Sequence, residues 1–266
     1  ITPTLRGRFV AKAARIAFEE AGFVRFEMRY ALTSGELVEQ LSLHQLNCAL
    51  INAEAIGDDR NFAVSEVFAD SIALVVPSTV PVEDIRQAVL GYGEPVGPLS
   101  RYVEVDASAS IKSRTEQWYR TNLPGARAMF AATTYPAAVD ICAEGLATAH
   151  CPLSLVPNLP AATLKRLQFL RLPELSRSVA LVMPRHLLTL APYARIFRRI
   201  EEFCRNDYSR EMEPAEVQDF ATVLAVDGGA GERRALLQQR ADRVGGTANN
   251  EDRQKLVGAR VNSLQG

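Results

Sequence analysis

Thr33-Ser34-Gly35-Glu36-Leu37-Val38-Glu39-Gln40-Leu41, followed by Leu46-Asn47-Cys48-Ala49-Leu50-Ile51 and by Ile72-Ala73-Leu74-Val75-Val76-Pro77, is the stretch that decides the fold. Its first four residues fit a capping box, with Thr33 accepting from the amide three residues on and Glu36 reaching back, so a helix starts here. A short apolar strand and then a second one follow the helix. This is the order of an α/β unit that grips a ligand at its strand ends.

Before the cap, Leu5, Phe9, Ala13, Ile16 and Ala17 recur at helical spacing and Gly22 supplies a stop, which predicts a helix from about Leu5 to Ala21. Alternation of Val24, Phe26, Met28 and Tyr30 with Arg25, Glu27 and Arg29 predicts a half-buried strand near a sheet edge. The βαβ order argues for a parallel sheet with helices on its faces. Pro77-Ser78-Thr79-Val80-Pro81 reads as a crossover into a second unit. That unit offers a helix near Val82 to Leu90, a strand Tyr102 to Asp106, a helix at about Ser113 to Asn122, a strand Arg127 to Ala132, a helix after Thr134 and a strand Leu146 to Cys151. Leu167 to Leu172 and Val179 to Met183 read as strands, the second returning to the first unit, and a helix from about Leu190 to Cys204 is the last packed element expected. Two crossings between two α/β units make a hinge. The expected organisation is therefore 1–78 with 178–207 as one subdomain, 79–177 as the other, and 208–266 as a weakly ordered tail with one short helical candidate near Glu232 to Arg243. The tail has too few large apolar residues to offset the entropy of ordering it.

Two segments resemble the effector-binding domain of LysR-type transcriptional regulators. In that family a helix ends in a pattern like Leu-x-x-Gly-x-Leu-Asp-x-Ala-Ile, and here the stretch reads Leu41-Ser42-Leu43-His44-Gln45-Leu46-Asn47-Cys48-Ala49-Leu50, with Gln45 and Asn47 read at the Gly and Asp places. The second segment runs from Thr133 to Pro152, where the family has a helix ending at Ala-Gly, a small-residue strand and a closing Pro. In this chain Glu144 precedes Gly145, Ala147 replaces the second Gly, and Cys151 precedes the Pro. The resemblance covers roughly residues 1 to 207. It implies two Rossmann-like subdomains of the type II periplasmic-binding-protein fold with a hinge cleft.

With 266 residues, 47% hydrophobic and 23% charged, the chain can bury a sizeable core. Its 30 Lys+Arg against 31 Asp+Glu leave a net charge of −1, so it carries no global electrostatic footprint for nucleic acid. No apolar run reaches the ~18 to 20 residues that span a bilayer, and no basic segment followed by an apolar one opens the chain. That favours the cytoplasm, with a removed leader before Ile1 left open. Cys48, Cys142, Cys151 and Cys204 lack C-x-x-C spacing and read as buried free thiols. His44, His150 and His186 read as isolated, without metal spacing. Nucleophile elbows and P-loops are missing. Gly91-x-Gly93-x-x-x-Gly97 misses the dinucleotide spacing and contains Pro95, so it is a turn. Glu19-Glu20 and Glu201-Glu202 read as surface charge. These patterns predict no catalytic residue, no metal, no cofactor and no enzyme activity.

Hydroxyl residues stand before three helices: Thr2 or Thr4, then Thr33 and Ser34, then Thr133 and Thr134. Each can be a simple cap. Together, helix N-termini at strand ends can hold a carboxylate or phosphate without any catalytic group. By the resemblance these segments line the effector cleft, so Thr4, Thr33, Ser34 and Thr134 are the candidate effector-binding residues, with Thr2 hard to separate from Thr4. Ser108 and Ser110 read as a solvated loop. The resemblance further implies a small, anionic effector and self-association into a dimer or tetramer, the first helix and the strand Val24 to Tyr30 packing against a partner's last helices. DNA contact would come only through a winged helix-turn-helix preceding Ile1, and no membrane is involved. The alternative is a solute-binding protein of a transport system; a third possibility is an enzyme that borrowed the fold.

Overall fold

The computed structural model describes residues 1–225 except 6–7, 22–25, 58–59, 213 and 215–216. Ile1–Val223 form one compact unit and Leu224–Gly266 a second, and the helical candidate at Glu232 to Arg243 lies outside the described residues. In chain order the elements are α1 (Phe9–Ala21), α2 (Ser34–Ser42), β1 (Ala49–Asn52), β2 (Phe62–Pro77), α3 (Val82–Leu90), β3 (Arg101–Val105), α4 (Ala109–Asn122), β4 (Arg127–Ala132), α5 (Tyr135–Ala143), β5 (Ala149–Pro152), α6 (Ala161–Leu164), β6 (Leu167–Pro184), α7 (Ala191–Phe203), α8 (Ser209–Glu211), β7 (Gln218–Asp219) and α9 (Phe220–Leu224), with short 3-10 turns between several of them.

The long strands β2 and β6 organise everything else. They run antiparallel from Phe62↔Pro184 to Pro77↔Leu167, with irregularities between Glu66 and Phe68 and between Ser71 and Ile72. β1 joins the outer side of β6 at one end, and β5 joins β2 at the other, both antiparallel. The expectation of a parallel sheet is thus corrected for the large sheet. Among the described residues, parallel pairing is confined to β3 with β4, the short β6 to β7 pair and the Tyr102↔Thr148 bridge. Alternation of helix and strand along a chain does not fix strand direction when a strand is long enough to serve both halves.

The crossing falls inside β2, around Val67 to Ser71, rather than at Pro77 to Pro81. Ile72 to Val76 already pair with β5 and with Gln168 to Leu172, and they are buried on both faces, which is why they read as a continuous apolar run. Opposite the crossing, Pro173, Glu174 and Leu175 bulge out of the β2 register. Arg114 of α4 holds that bulge by donating to the carbonyls of Ser176 (3.0 Å) and Glu174 (3.2 Å), and Trp118 Nε1 donates to the Glu174 carboxylate at 2.9 Å.

Side-chain alternation distributes β6 between two cores in the first half: Val179 and Leu181 pack against α1 and α7, Ala180 and Val182 against α2 and β1. In the second half, β2, β5 and β6 pack against α5 through Ala73, Val75, Val139, Cys151 and Phe169. Salt bridges from Arg195 and Arg199 to Glu20, and from Arg199 to Glu19, tie α7 to α1, so the Glu19-Glu20 pair is an interhelix contact and not only solvated charge.

Several local expectations change. α1 starts at Phe9, after a 3-10 turn Pro3–Leu5, instead of near Leu5. Residues 26–30 form no strand, and Phe26, Met28 and Tyr30 are exposed together. The left-handed residue after α2 is His44, at φ 57, so His44 and not Gln45 occupies the family's glycine place. His44 also meets His186 edge to face, with ring centroids 5.1 Å apart, so these two histidines are not isolated. Glu36 reaches back to the Leu32 amide (3.3 Å), one residue before the cap itself. The cysteines are free thiols, with Cys48 half-buried and Cys142, Cys151 and Cys204 buried.

The largest correction concerns the expected tail. Tyr208 is fully buried against Phe9, Phe68 and Phe203, and its hydroxyl donates to the Leu5 carbonyl. Met212, Phe220 and Val223 are also buried, Phe220 meets Trp118 at 5.3 Å, and Gln218 pairs with Leu170. Packing therefore continues through Val223, and the segment after α7 touches both halves.

His150 on β5 lies in an aromatic box with Trp118 (4.9 Å) and Tyr119 (4.6 Å). Burial pulls its pKa from 6.5 down to about 3. The unfolded chain takes up this proton at higher pH than the folded one, so this contribution to stability is intact above pH 6.5 and is lost as the pH falls toward 3. At about 1.4 kcal/mol per pH unit, the expected loss at pH 5 is about 2 kcal/mol. Urea unfolding at pH 7 and pH 5 measures it, and His150→Phe should remove this part of the difference. An unaltered pH dependence in the variant would mean that His150 does not fold in its neutral form.

Candidate effector site

A cavity of about 340 Å³ opens where the two halves meet beside the crossing strands. Thr2 and Thr4 enter it from the first turn, Thr33 and Ser34 from the start of α2, Ser108 from the start of α4, Thr134 and Tyr135 from the start of α5, and Arg177 from β6. The four residues singled out from the sequence, Thr4, Thr33, Ser34 and Thr134, thus line one space, and Thr2 lines it with them. Its size is at the lower end of small-molecule sites.

Local chemistry explains why these helices begin where they do. Thr33 Oγ1 accepts from the Glu36 amide (3.2 Å), Ser108 Oγ from the Ile111 amide (3.4 Å), and Thr134 Oγ1 from the Ala137 amide (3.4 Å). Each cap contributes about 1 kcal/mol to its helix. Ser34 Oγ accepts from the Asn52 amide at 3.1 Å, locking the start of α2 to the end of β1. A hydroxyl oxygen that accepts from an amide still carries its own proton. Thr33, Ser34 and Thr134 therefore retain an O–H donor each, and the N-terminal amides of α2, α4 and α5 add partial positive charge at the same place.

Sequence reasoning missed the floor of the cavity. Arg177 is 7% exposed and Asp70 4%, and they form a salt bridge at 2.8 Å where β2 and β6 cross. Arg177 also donates to Thr4 Oγ1 (2.9 Å), which in turn shares a proton with Thr2 Oγ1 (3.3 Å). Asp70 accepts from the Ser154 amide (3.0 Å) and hydroxyl (2.7 Å). The available signal was a single Asp in Phe68-Ala69-Asp70-Ser71-Ile72 and a single Arg just before the apolar run from Val179. A lone charge in a buried strand needs a partner, yet the partner lies 107 residues away.

Ser108 and Ser110 are exposed, as a solvated segment should be, but they belong to the start of α4 and not to a loop. Ser108 caps α4, and both hydroxyls reach the Glu54 carboxylate, at 3.2 and 3.5 Å, linking the α4 wall to the turn after β1. Tyr135 contributes a buried hydroxyl without a hydrogen-bond partner. Burial raises its pKa, with nearby Arg177 opposing the shift, so it stands as a neutral donor in the wall. Asp106 is the carboxylate at the rim. Among the described residues no group of three or more His, Cys, Asp or Glu can hold a metal ion, and no helix is long and apolar enough to cross a membrane.

Two α/β halves, joined by two long antiparallel strands and enclosing a cavity at the crossing, define the type II periplasmic-binding-protein fold. Within that class the chain is similar in structure to the regulatory domains of OxyR proteins. A reduced form of OxyR from N. meningitidis matches with a TM-score of 0.52 and 12% identity, over 76% of this chain and 91% of that one. A sulfate-bound mutant of the OxyR2 regulatory domain from Vibrio vulnificus gives 0.53 and 13% identity, over 77% and 92%. A mutant of OxyR from Porphyromonas gingivalis gives 0.53 and 12%, over 82% and 93%. In sequence, no family model and no curated protein matches the chain.

Proposed function

We propose that this chain is the effector-sensing domain of a LysR-type transcriptional regulator, taking a small anionic molecule in the cavity between its halves. One observation carries the reading: the N-termini of α2 and α5, with the hydroxyl protons of Thr33, Ser34 and Thr134, and the Arg177 guanidinium converge on a single ligand-sized space. Acceptor-rich groups, carboxylates above all, suit such a donor set. Asp106 at the rim offers an acceptor to a hydroxyl or amine elsewhere on the ligand. A ligand held by Ser34 on one wall and Thr134 on the other favours the closed arrangement of the halves, by the difference in its affinity for the two states. The same closing would move any attached subunit or DNA-binding module. With its near-zero net charge, this domain leaves duplex recognition to such a module, and self-association would transmit the signal.

A thermal-shift panel of small carboxylates and phosphorylated compounds should yield a stabilising ligand. Ser34→Ala and Thr134→Ala should each weaken it, by about ten- to hundredfold if a hydrogen bond to a charged group is lost. Combined, they should be non-additive if the ligand bridges the halves, and Thr134→Ser should retain binding because the hydroxyl remains. Unchanged affinity in folded variants would reduce these residues to helix caps.

A further inference from the structure

A small chamber of about 20 Å³ adjoins the effector cavity, and Ala107, Ile111 and Tyr135 line both spaces. His150 lines the chamber as well, 4% exposed and boxed by the rings of Trp118 and Tyr119. Neither ring nitrogen of His150 has a hydrogen-bond partner, and neither has the buried Tyr135 hydroxyl. Their neighbours are already engaged. Trp118 Nε1 donates to the Glu174 carboxylate (2.9 Å), and the Tyr119 hydroxyl shares a hydrogen bond with Thr148 Oγ1 (3.0 Å). A histidine kept only for packing is expected to find a partner in so dense a setting, because an unpaired buried polar group destabilises the fold. His150 finds none, and the space it borders is the one that Tyr135 divides from the effector cavity.

The chemistry of these atoms selects the group that fits. Burial keeps His150 neutral, so one ring nitrogen donates and the other accepts, and the Tyr135 hydroxyl can do either. That hydroxyl is close enough to Arg177 and Asp70 on the cavity floor for their charges to act on it. A carboxylate would only accept and an ammonium only donate, and both would bring charge into an aromatic box. The charged residues along the chamber are already paired, Lys112 with Glu104 and Glu116 with Arg120. A hydroxyl donates, accepts, carries no charge and needs only the room of about one water molecule, which 20 Å³ supplies. We infer that the chamber is the specificity subsite of the effector cavity, taking a hydroxyl at the end of the effector opposite its carboxylate, held by His150 and Tyr135. The inference rests on the effector reading above and adds a ligand class to it, a hydroxy acid in place of a simple one.

Calorimetric titration with butanoate, pentanoate and hexanoate, each against its ω-hydroxy derivative, tests the subsite. On the parent chain, the hydroxy acid whose length spans the cavity should bind about tenfold tighter than its simple acid, or better. The ratio of the two affinities separates a binding role from a structural one. It should fall close to one in His150→Phe, shrink in Tyr135→Phe and be partly kept in His150→Gln, whose amide also donates and accepts. Ser34→Ala should weaken both members of a pair by the same factor and leave the ratio intact. Trp118 is the only tryptophan of the chain and touches His150, so its fluorescence should respond to the hydroxy acid and not to the simple one. The inference is overturned by the absence of any gain from the hydroxyl, by a gain that survives in His150→Phe and Tyr135→Phe, or by a gain without a Trp118 response. In each of these cases, Ser34-dependent binding of the simple acids would leave the effector reading standing. If no acid of either kind binds, or if Ser34→Ala alters nothing, both readings fall.

Discussion

Arg177→Met should destabilise the chain by roughly 3 to 5 kcal/mol and abolish anion binding in the effector cavity, because it strands the Asp70 carboxylate in a site that is 4% exposed. The two effects have different origins and can be separated. Removing both charges in an Asp70→Asn, Arg177→Met double variant leaves no uncompensated ion, and replacing a buried pair by neutral groups often comes near to breaking even. The double variant should therefore regain most of the stability, as read by urea unfolding, while calorimetry still finds no ligand binding. Restored binding in the double variant would remove Arg177 from the site. Full stability in the single variant would mean that the pair is solvated in solution. Thr4 would follow Arg177, since its hydroxyl is positioned by the guanidinium at 2.9 Å.

Ending the chain at Asp207 should lower the melting temperature sharply. Tyr208 fills the space between α1, β2 and α7, with ring centroids 5.6 Å from Phe9, 5.9 Å from Phe68 and 5.8 Å from Phe203. Replacing a buried aromatic with Ala alone costs about 3 to 5 kcal/mol. For a domain of this size that corresponds to a fall of about 6 to 20 °C. The truncation should exceed the Tyr208→Ala variant, because Met212, Phe220, Val223 and the Gln218 to Leu170 pairing go with it. Equal melting curves for the parent and truncated chains would show that this segment does not pack in solution.

The places where composition misled are informative about what a sequence carries. Past Asp207 the large apolar residues are sparse, so the segment reads as unable to offset its own ordering entropy. Four of them, Tyr208, Met212, Phe220 and Val223, are nevertheless buried against a surface already formed by the rest of the chain. A segment that docks on a finished core needs few anchors. Conversely, Phe26, Met28 and Tyr30 alternate as a strand should, yet residues 26–30 join no β-ladder, their backbone meeting only the Ile1 amino group at the Arg29 carbonyl among the contacts described: a strand exists only where a neighbour supplies its hydrogen bonds.

What the sequence by itself determined is local. The start of α2 at Thr33, of α5 at Thr134 and the span of β4 from Arg127 to Ala132 follow from hydrogen bonds or side-chain periods that act within a few residues, and so the hydroxyls that line the cavity were legible. Tertiary structure decided whatever depends on distant partners. The antiparallel run of β2 and β6, the bulge at Pro173 to Leu175, the burial of Tyr208 and the meeting of Asp70 with Arg177 all join residues far apart in the chain. No local rule selects among such pairings. They are chosen by which arrangement buries the apolar faces while leaving every buried charge a partner.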